Sequence, residues 1–267
     1  SGDVLDLSSV TRKIVDKHST GGIGDKVSLI VGPIVASLGL AMPKMSGKGL
    51  GYTGGTIDKL ESIPGYKTNI NKDQFINILN EIGISIISQT DNLVPADKKI
   101  YALRDVTNTV ESIPLIASSI MSKKLAIGAD IIVIDLKVGK GAFMKDLKQA
   151  IVLSKVMIEI GKRYDKKVVC ILTDMNTPLG RNIGNILEIQ EVIEYFDGVR
   201  ETRLDTVVKT ISSYLVSYGN MVYLSRAREN VDEVLRNGTA KAIFYEWIKA
   251  QGGKLNQITN RDKKIEI

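Results

Sequence analysis

One cysteine and one histidine are all that 267 residues offer of the commonest metal-binding and redox side chains. An internal disulfide cannot form, and a Cys/His zinc site cannot be assembled. The cysteine, Cys170, lies in Lys167-Val168-Val169-Cys170-Ile171-Leu172, which reads as a buried strand, so its thiol is expected in the core and not as a nucleophile. Aromatic residues make up only 5% and the lysines are scattered, which is poor material for stacking bases. No nucleic-acid partner is therefore expected, although the net charge is +6. No apolar run approaches the roughly 20 residues of a membrane-spanning helix, so no membrane partner is expected either. Residues 1–11 contain no apolar signal core, and the expected location is cytoplasmic.

What is present is the composition of a globular protein with a sizeable core, 43% apolar and 25% charged. Helical and extended patterns alternate. Residues 13–16 read as a short strand. Apolar residues at Val27, Ile30, Val31, Ile34, Val35 and Leu38 predict a helix over 26–38, capped by Asp25 and stopped at Gly39. One or two helical turns over 57–62 end at Pro64-Gly65. A helix over 72–82 and a strand over 84–88 follow, then a helical stretch from Asp97 past Pro114 to Ile127. Ile131-Ile132-Val133-Ile134-Asp135-Leu136 is nearly all apolar and β-branched, as in a central parallel strand covered on both faces. Helices are predicted over 146–164, 185–196, 205–218, 226–236 and 239–251. The alternation predicts an α/β fold, a mainly parallel sheet flanked by helices. Ligands of such sheets sit outside the carboxyl ends of the strands.

Two glycine-rich loops with lysines and hydroxyls flank that edge. The first is Lys17-His18-Ser19-Thr20-Gly21-Gly22-Ile23-Gly24-Asp25, and the second runs from Ser46 through Gly47-Lys48-Gly49-Leu50-Gly51-Tyr52-Thr53-Gly54-Gly55 to Thr56. Side chains alternate along an extended segment, so Lys17 and Ser19 point one way and His18 the other. Lys17 and Ser19 can then hold an anion while His18 faces a second ligand. With Asp25 as cap, Ser28 is the third helical residue, and an anion near it gains about 0.3–1 kcal/mol from the helix dipole. Gly49-Leu50-Gly51-Tyr52-Thr53-Gly54 satisfies G-x-G-x-x-G but does not join a strand cleanly to a helix, which argues against a dinucleotide fold. Ser46-Gly47-Lys48 resembles the end of a Walker loop, but Gly49 follows the lysine and Met42 stands where a glycine is required. Ser119 and Lys123 share a helix face and, with Arg104, could read a planar ligand's carbonyls and ring N–H groups. Taken alone, such a set is more often a solvated helix face, and the spacing does not overturn that.

The strings Asp16-Lys17-His18-Ser19-Thr20-Gly21-Gly22, Met45-Ser46-Gly47 with Gly54-Gly55-Thr56-Ile57-Asp58-Lys59-Leu60-Glu61-Ser62, Tyr101-Ala102-Leu103-Arg104-Asp105-Val106-Thr107 and Lys137-Val138-Gly139-Lys140-Gly141-Ala142-Phe143-Met144 together carry a likeness. Through them the chain resembles the thymidine and pyrimidine-nucleoside phosphorylases, over essentially its whole length. The resemblance implies phosphorolysis: a pyrimidine nucleoside (thymidine, uridine or deoxyuridine) and inorganic phosphate give free base and pentose 1-phosphate. It implies Lys17, Ser19, Ser28, Lys44, Ser46 and Thr56 as phosphate ligands. It implies that Arg104, Ser119, Lys123 and Tyr101 bind the base and that Leu50 and Phe143 wall its pocket. His18 is implied as donor to the departing base, with Arg104 and Lys123 stabilising its charge. No organic cofactor is implied, and the family's assembly is a homodimer.

The chain departs from that pattern in three ways. Tyr52 stands where the family usually has histidine. The family's potassium site maps to Gly24, position 26, Leu179, Asn182 and Glu191, but position 26, usually a hydroxyl residue, is Lys26. The expectation is that the Lys26 ammonium replaces potassium and pairs with Glu191. The chain is also shorter than the family at both ends. Residues 97–126 are expected to be the remnant of a small all-α domain carrying the pyrimidine site, and 1–96 with 127–267 the α/β domain. Two alternatives remain: a related member of the fold acting on a phosphoribosyl substrate, and an inactive polypeptide that binds phosphate or a partner.

Overall fold

The computed structural model describes residues 5–49, 54–89, 94–107, 109 and 112–258. All strand pairing among them is parallel. Strands β1 (Val15–Ser19), β4 (Ile131–Val138) and β5 (Lys167–Asp174) form one sheet in the order β1-β4-β5, and β2 (Met42–Ser46) pairs with β3 (Ile84–Ser88) in a second. A parallel bridge between Ile14 and Ala41 joins the two.

The register explains why β4 carries so continuous an apolar run. Ile131 and Val133 enter the larger core, whereas Ile132, Ile134 and Leu136 enter a second core on the other face. The larger core packs β1 and β4 against α1 (Val27–Ser37), α7 (Asn185–Phe196), α8 (Thr202–Gly219), α9 (Leu224–Arg236) and α10 (Thr239–Ala250). The second core is built with α5 (Ile113–Ile127) and α6 (Leu147–Arg163), through Ala117, Ile120, Met121, Ala150, Leu153 and Met157. With both faces covered, only the strand ends remain for ligand chemistry.

The expected helix at 185–196 and strand at 84–88 have those bounds in the structure, and the helix expected over 72–82 is α3 (Lys72–Glu81). Four expectations need correcting. Strand β2 is not foreseen, because Pro43 and Lys44 interrupt its apolar pattern, yet it is almost wholly buried and pairs along its length with β3. The helical stretch of 97–127 is two helices, α4 (Pro95–Val106) and α5, whose second residue is Pro114; proline lacks an N–H and fixes a helix start. Helix α1 begins one residue later than expected, with Lys26 at the cap position and the Asp25 carboxylate accepting from the Val27 N–H at 3.3 Å. Ser28 is therefore the second helical residue. Finally, β5 ends its sheet, so Cys170 is only half-buried. Burial still pushes its thiol up to about 12, far from a thiolate nucleophile.

The chain's last long helix is fastened to the second sheet by one carboxamide. Gln251, fully buried, accepts from Ser85 Oγ at 3.1 Å, the Ile86 N–H at 3.1 Å and Trp247 Nε1 at 2.6 Å. Its Nε2 donates to the carbonyls of Lys67 and Ile86, both at 2.9 Å. Replacing it with leucine takes this partner from the Ser85 hydroxyl, the Ile86 N–H, the Trp247 N–H and the Lys67 carbonyl, while the Ile86 carbonyl keeps the Tyr66 hydroxyl at 3.2 Å. Gln251→Leu is expected to lower stability by about 3 kcal/mol in urea unfolding, against under about 1 kcal/mol if the carboxamide were incidental.

Candidate active site

Strand β1 divides the site. Lys17 and Ser19 turn toward Asp25, in the loop before α1, whereas Asp16 and His18 turn toward the lysines of α5. Lys17 Nζ, fully buried, lies 3.7 Å from Asp25 Oδ1 and 3.5 Å from Asp135 Oδ2. The Ser19 hydroxyl donates to Asp25 Oδ2 and accepts from the Gly21 N–H at 3.2 Å. Lys137, two residues along β4 from Asp135, pairs with it at 2.7 Å, and Thr173 Oγ1 donates to the same carboxylate at 2.6 Å. Burial works against ionisation of Asp25, but Lys17, Lys137, the Ser19 hydroxyl and Lys59 outweigh it and hold the carboxyl well below its ordinary range. Burial likewise opposes the Lys137 ammonium, and Asp25 and Asp135 reverse the balance.

On the other face Asp16 pairs with Lys124 of α5 at 2.7 Å. Lys44, on β2, donates to the Lys17 carbonyl at 2.5 Å and lies 3.9 Å from Asp16 Oδ1. His18 is half-buried among these groups. Burial first, then the charges of Lys124, Lys44, Lys123 and Lys17, push its pKa well below the ordinary 6.5. At neutral pH the ring is a neutral imidazole with one N–H to donate. Nearby on α5, Lys123 Nζ donates to Ser119 Oγ at 3.3 Å and pairs with Asp97 of α4 at 2.8 Å. Arg104, also on α4, is buried. Tyr101 lies on α4, but its side chain, like Leu50 and Tyr52, lies outside the described residues.

The second glycine loop closes from the β2 side. Ser46 ends β2, and Thr56 begins the short helix α2 (Thr56–Glu61). Asp58 accepts the N–H groups of Gly49 at 2.6 Å and Gly55 at 3.0 Å, drawing the loop back on itself. Only glycine fits at 55, because a Cβ there would lie 2.3 Å from the Gly49 nitrogen. Phe143, 48% exposed, lies over the first loop: a Cβ on Gly21 would touch its ring at 3.4 Å.

Two further buried ammonium groups brace the first loop from behind. Lys59 Nζ donates to the carbonyls of Asp25 at 3.1 Å and Gly54 at 2.8 Å, and pairs with Glu188 at 3.2 Å, so one cation ties both glycine loops to α7. Lys26 Nζ donates to the carbonyls of Leu179 at 3.0 Å and Asn182 at 3.1 Å and to Glu191 Oε2 at 2.6 Å. Glu191 also accepts the N–H groups of Arg181 at 2.8 Å and Asn182 at 2.9 Å. Gly180 has φ +79°, and a Cβ there would lie 2.5 Å from Lys26 Nζ. The Gly24 carbonyl accepts the Lys26 N–H at 3.0 Å. Three of the residues mapped to potassium, Leu179, Asn182 and Glu191, thus already give an oxygen to the Lys26 ammonium, and Gly24 gives its carbonyl to the Lys26 N–H, so the residues present do not fit the ion while Lys26 holds this position.

The sequence reading overlooked Asp25 as a partner of Ser19 and Lys17, and gave no role to Asp16, Lys59, Lys124, Asp135, Lys137 or Glu188. One signal was available: Asp135 and Lys137 stand two apart in an otherwise apolar strand, a costly placement unless they pair.

Against known proteins, the family described as "Glycosyl transferase family, a/b domain" matches residues 11–241. Proteins named pyrimidine-nucleoside phosphorylase are similar along nearly the whole chain. That of Geobacillus stearothermophilus is 49% identical over 264 residues, covering 98% of this chain and 61% of the relative. That of Staphylococcus haemolyticus is 50% identical over 259 residues, covering 97% and 60%. The chain therefore spans about three fifths of the length of these curated relatives. Among solved structures, the anthranilate phosphoribosyltransferase of Thermus thermophilus superposes with a TM-score of 0.70 at 14% identity, over 90% of this chain and 78% of that one. The Saccharomyces cerevisiae enzyme of the same name gives 0.66 at 10% identity, over 94% and 76%. At these identities the likeness is one of fold.

Lys44 supplies a pH test of this geometry. Burial first and Lys124 next, with Lys17 adding and Asp16 and Asp25 opposing, lower its pKa from 10.5 to about 7. Between those values the unfolded chain holds a proton that the folded chain does not, so stability rises with pH; the penalty is complete below 7 and gone above 10.5. Relative to Lys44→Met, wild type is expected to gain about 1 kcal/mol per unit from about pH 7 to 9 in urea unfolding. A constant difference would mean that Lys44 is charged throughout.

Proposed function

The chain belongs to the glycosyl transferase family through its a/b domain, and on that premise we propose that it is the phosphate- and nucleoside-binding part of a pyrimidine-nucleoside phosphorylase. The observation that carries the reading is the division across β1. Buried Lys17 and half-buried Ser19 meet Asp25 in the loop before α1, and a neutral His18 faces the cations of α5 one residue away. Two ligands can meet at that strand end from opposite sides. Similarity to proteins of that name over nearly the whole chain supports it.

In this reading Lys17, Ser19, Ser28, Lys44, Ser46 and Thr56 hold inorganic phosphate. Arg104, Ser119 and Lys123, on α4 and α5, hold the pyrimidine, with Tyr101, Leu50 and Phe143 bordering it. Residues 97–126 are the part of a small helical domain that carries this subsite. A phosphate oxygen bonds to the anomeric carbon as the glycosidic C–N bond breaks. The proton that phosphate gives up ends on the base. Negative charge gathers on the base as it leaves, and Arg104, Lys123 and the His18 N–H stabilise it. A neutral ring serves as a hydrogen-bond donor without first having to be charged among lysines. The substrates are thymidine, uridine and deoxyuridine, the setting is cytoplasmic pyrimidine salvage, and the assembly is a homodimer.

The test is release of base from uridine and thymidine, dependent on added phosphate. His18→Ala is expected to lower kcat by about 10²–10³-fold with the KM for phosphate nearly unchanged. A folded chain that binds phosphate but releases no base from either nucleoside would instead favour the non-catalytic binding reading.

Within the same proposal, Lys26 takes the place of a bound monovalent cation. Its three oxygen acceptors, two of them backbone carbonyls, are the ligands such an ion prefers. Activity and melting temperature are expected to be equal in sodium and potassium. Lys26→Ser should melt lower and regain part of the loss in potassium but not in sodium. A wild-type melting temperature that rises with potassium alone would refute the substitution.

A further inference from the structure

We infer that Asp25 is an internal competitor of phosphate, and that its carboxylate sets the affinity of the phosphate site. The inference rests on the phosphate reading of Lys17 and Ser19 given above. Both side chains already serve Asp25: the Ser19 hydroxyl proton is directed at Asp25 Oδ2, and the Lys17 ammonium lies 3.7 Å from Oδ1. One hydroxyl proton cannot be given to a carboxylate and a phosphate oxygen at once. Any anion that takes it stands a few ångströms from the Asp25 charge, at a site whose carboxylate side chain is only 10% exposed and so little screened by water.

Two carboxylates neutralise this cluster, and only one is free to yield. Asp135 sits in the middle of β4 and is held by Thr173 and Lys137. Asp25 lies in the turn before α1, where its carboxylate is held by the Ser19 hydroxyl and weakly by the Val27 N–H at 3.3 Å. Its backbone, by contrast, is fixed: Lys59 holds the Asp25 carbonyl at 3.1 Å, and the Lys26 N–H holds the preceding carbonyl at 3.0 Å. The exchange therefore needs only a side-chain rotation of Asp25, with the loop in place. Lys17 Nζ makes no hydrogen bond among the described residues despite complete burial, its carboxylate neighbours standing at 3.5 and 3.7 Å. It has donors to offer the incoming anion, and Asp25 holds its charge until the anion arrives.

Removing the Asp25 charge while keeping its shape should strengthen phosphate binding and weaken the fold without phosphate. Calorimetric titration of inorganic phosphate into the chain is expected to give about tenfold tighter binding for Asp25→Asn than for wild type at equal ionic strength. The variant's melting temperature should be lower in phosphate-free buffer and rise more with phosphate. Asp25→Glu, which keeps the charge, should not bind more tightly than wild type. Should Asp25→Asn not fold, Asp25→Ser keeps an oxygen for the Val27 N–H and takes its place; failure of both to fold would make Asp25 structural and overturn the inference. A folded variant that binds phosphate no more tightly than a binding-competent wild type overturns it too, and leaves the phosphate site standing. If neither protein binds phosphate, the phosphate reading itself falls.

Discussion

An ammonium group taken out of water costs several kcal/mol unless oxygens surround it, and this molecule buries six among its described residues: Lys17, Lys26, Lys44, Lys59, Lys124 and Lys137. Their acceptors are set out by the fold. Asp16 and Lys17 lie on β1, Asp135 and Lys137 on β4, and Glu188 and Glu191 three residues apart on α7, while loop carbonyls complete the shells. Shifting β1 by one residue against β4 would reverse its faces and separate every pair it makes. The strand register is thus a condition of the electrostatics. The apolar cores on both faces of β4 hold that register in place.

The same arrangement sets the character of the histidine. An imidazole beside one carboxylate would be held charged. Here Asp16 is claimed by Lys124, and the net field on the ring is that of the surrounding lysines. Ionised phosphate brought to the α1 face would partly cancel that field across the strand. The two faces of β1 are therefore coupled through charge although their side chains point apart.

Periodicity recovered the elements whose pattern is set by burial alone: the β-branched run of β4, the strand β3 and the amphipathic helix α7. It failed where a polar residue is buried. Strand β2 is hidden by Pro43 and Lys44, and nothing in the neighbourhood of Lys44 in the sequence says that its partners are a carbonyl and a carboxylate on β1. A lysine meant for water and one meant for the interior look alike until the distant oxygens are known; Lys26 meets Glu191 across 165 positions. The set of candidate ligands came from resemblance to a family. The residues that brace them, Lys59 with Glu188 and Lys137 with Asp135, had no such guide. The α1 boundary moved because Asp25 sends its carboxylate to Ser19 as well as to the helix.

Gly180 ties two distant positions into one heritable unit. A methyl group there would strike both the Lys26 nitrogen and the Glu191 carboxylate, at 2.5 and 2.6 Å. While position 26 is lysine, even alanine at 180 is closed to the lineage for two reasons, the left-handed backbone and the collision. Retreat of position 26 to a short side chain removes half of the second obstacle and none of the first. Glycine is therefore required at 180 whatever stands at 26, by the backbone and by the Glu191 carboxylate that remains.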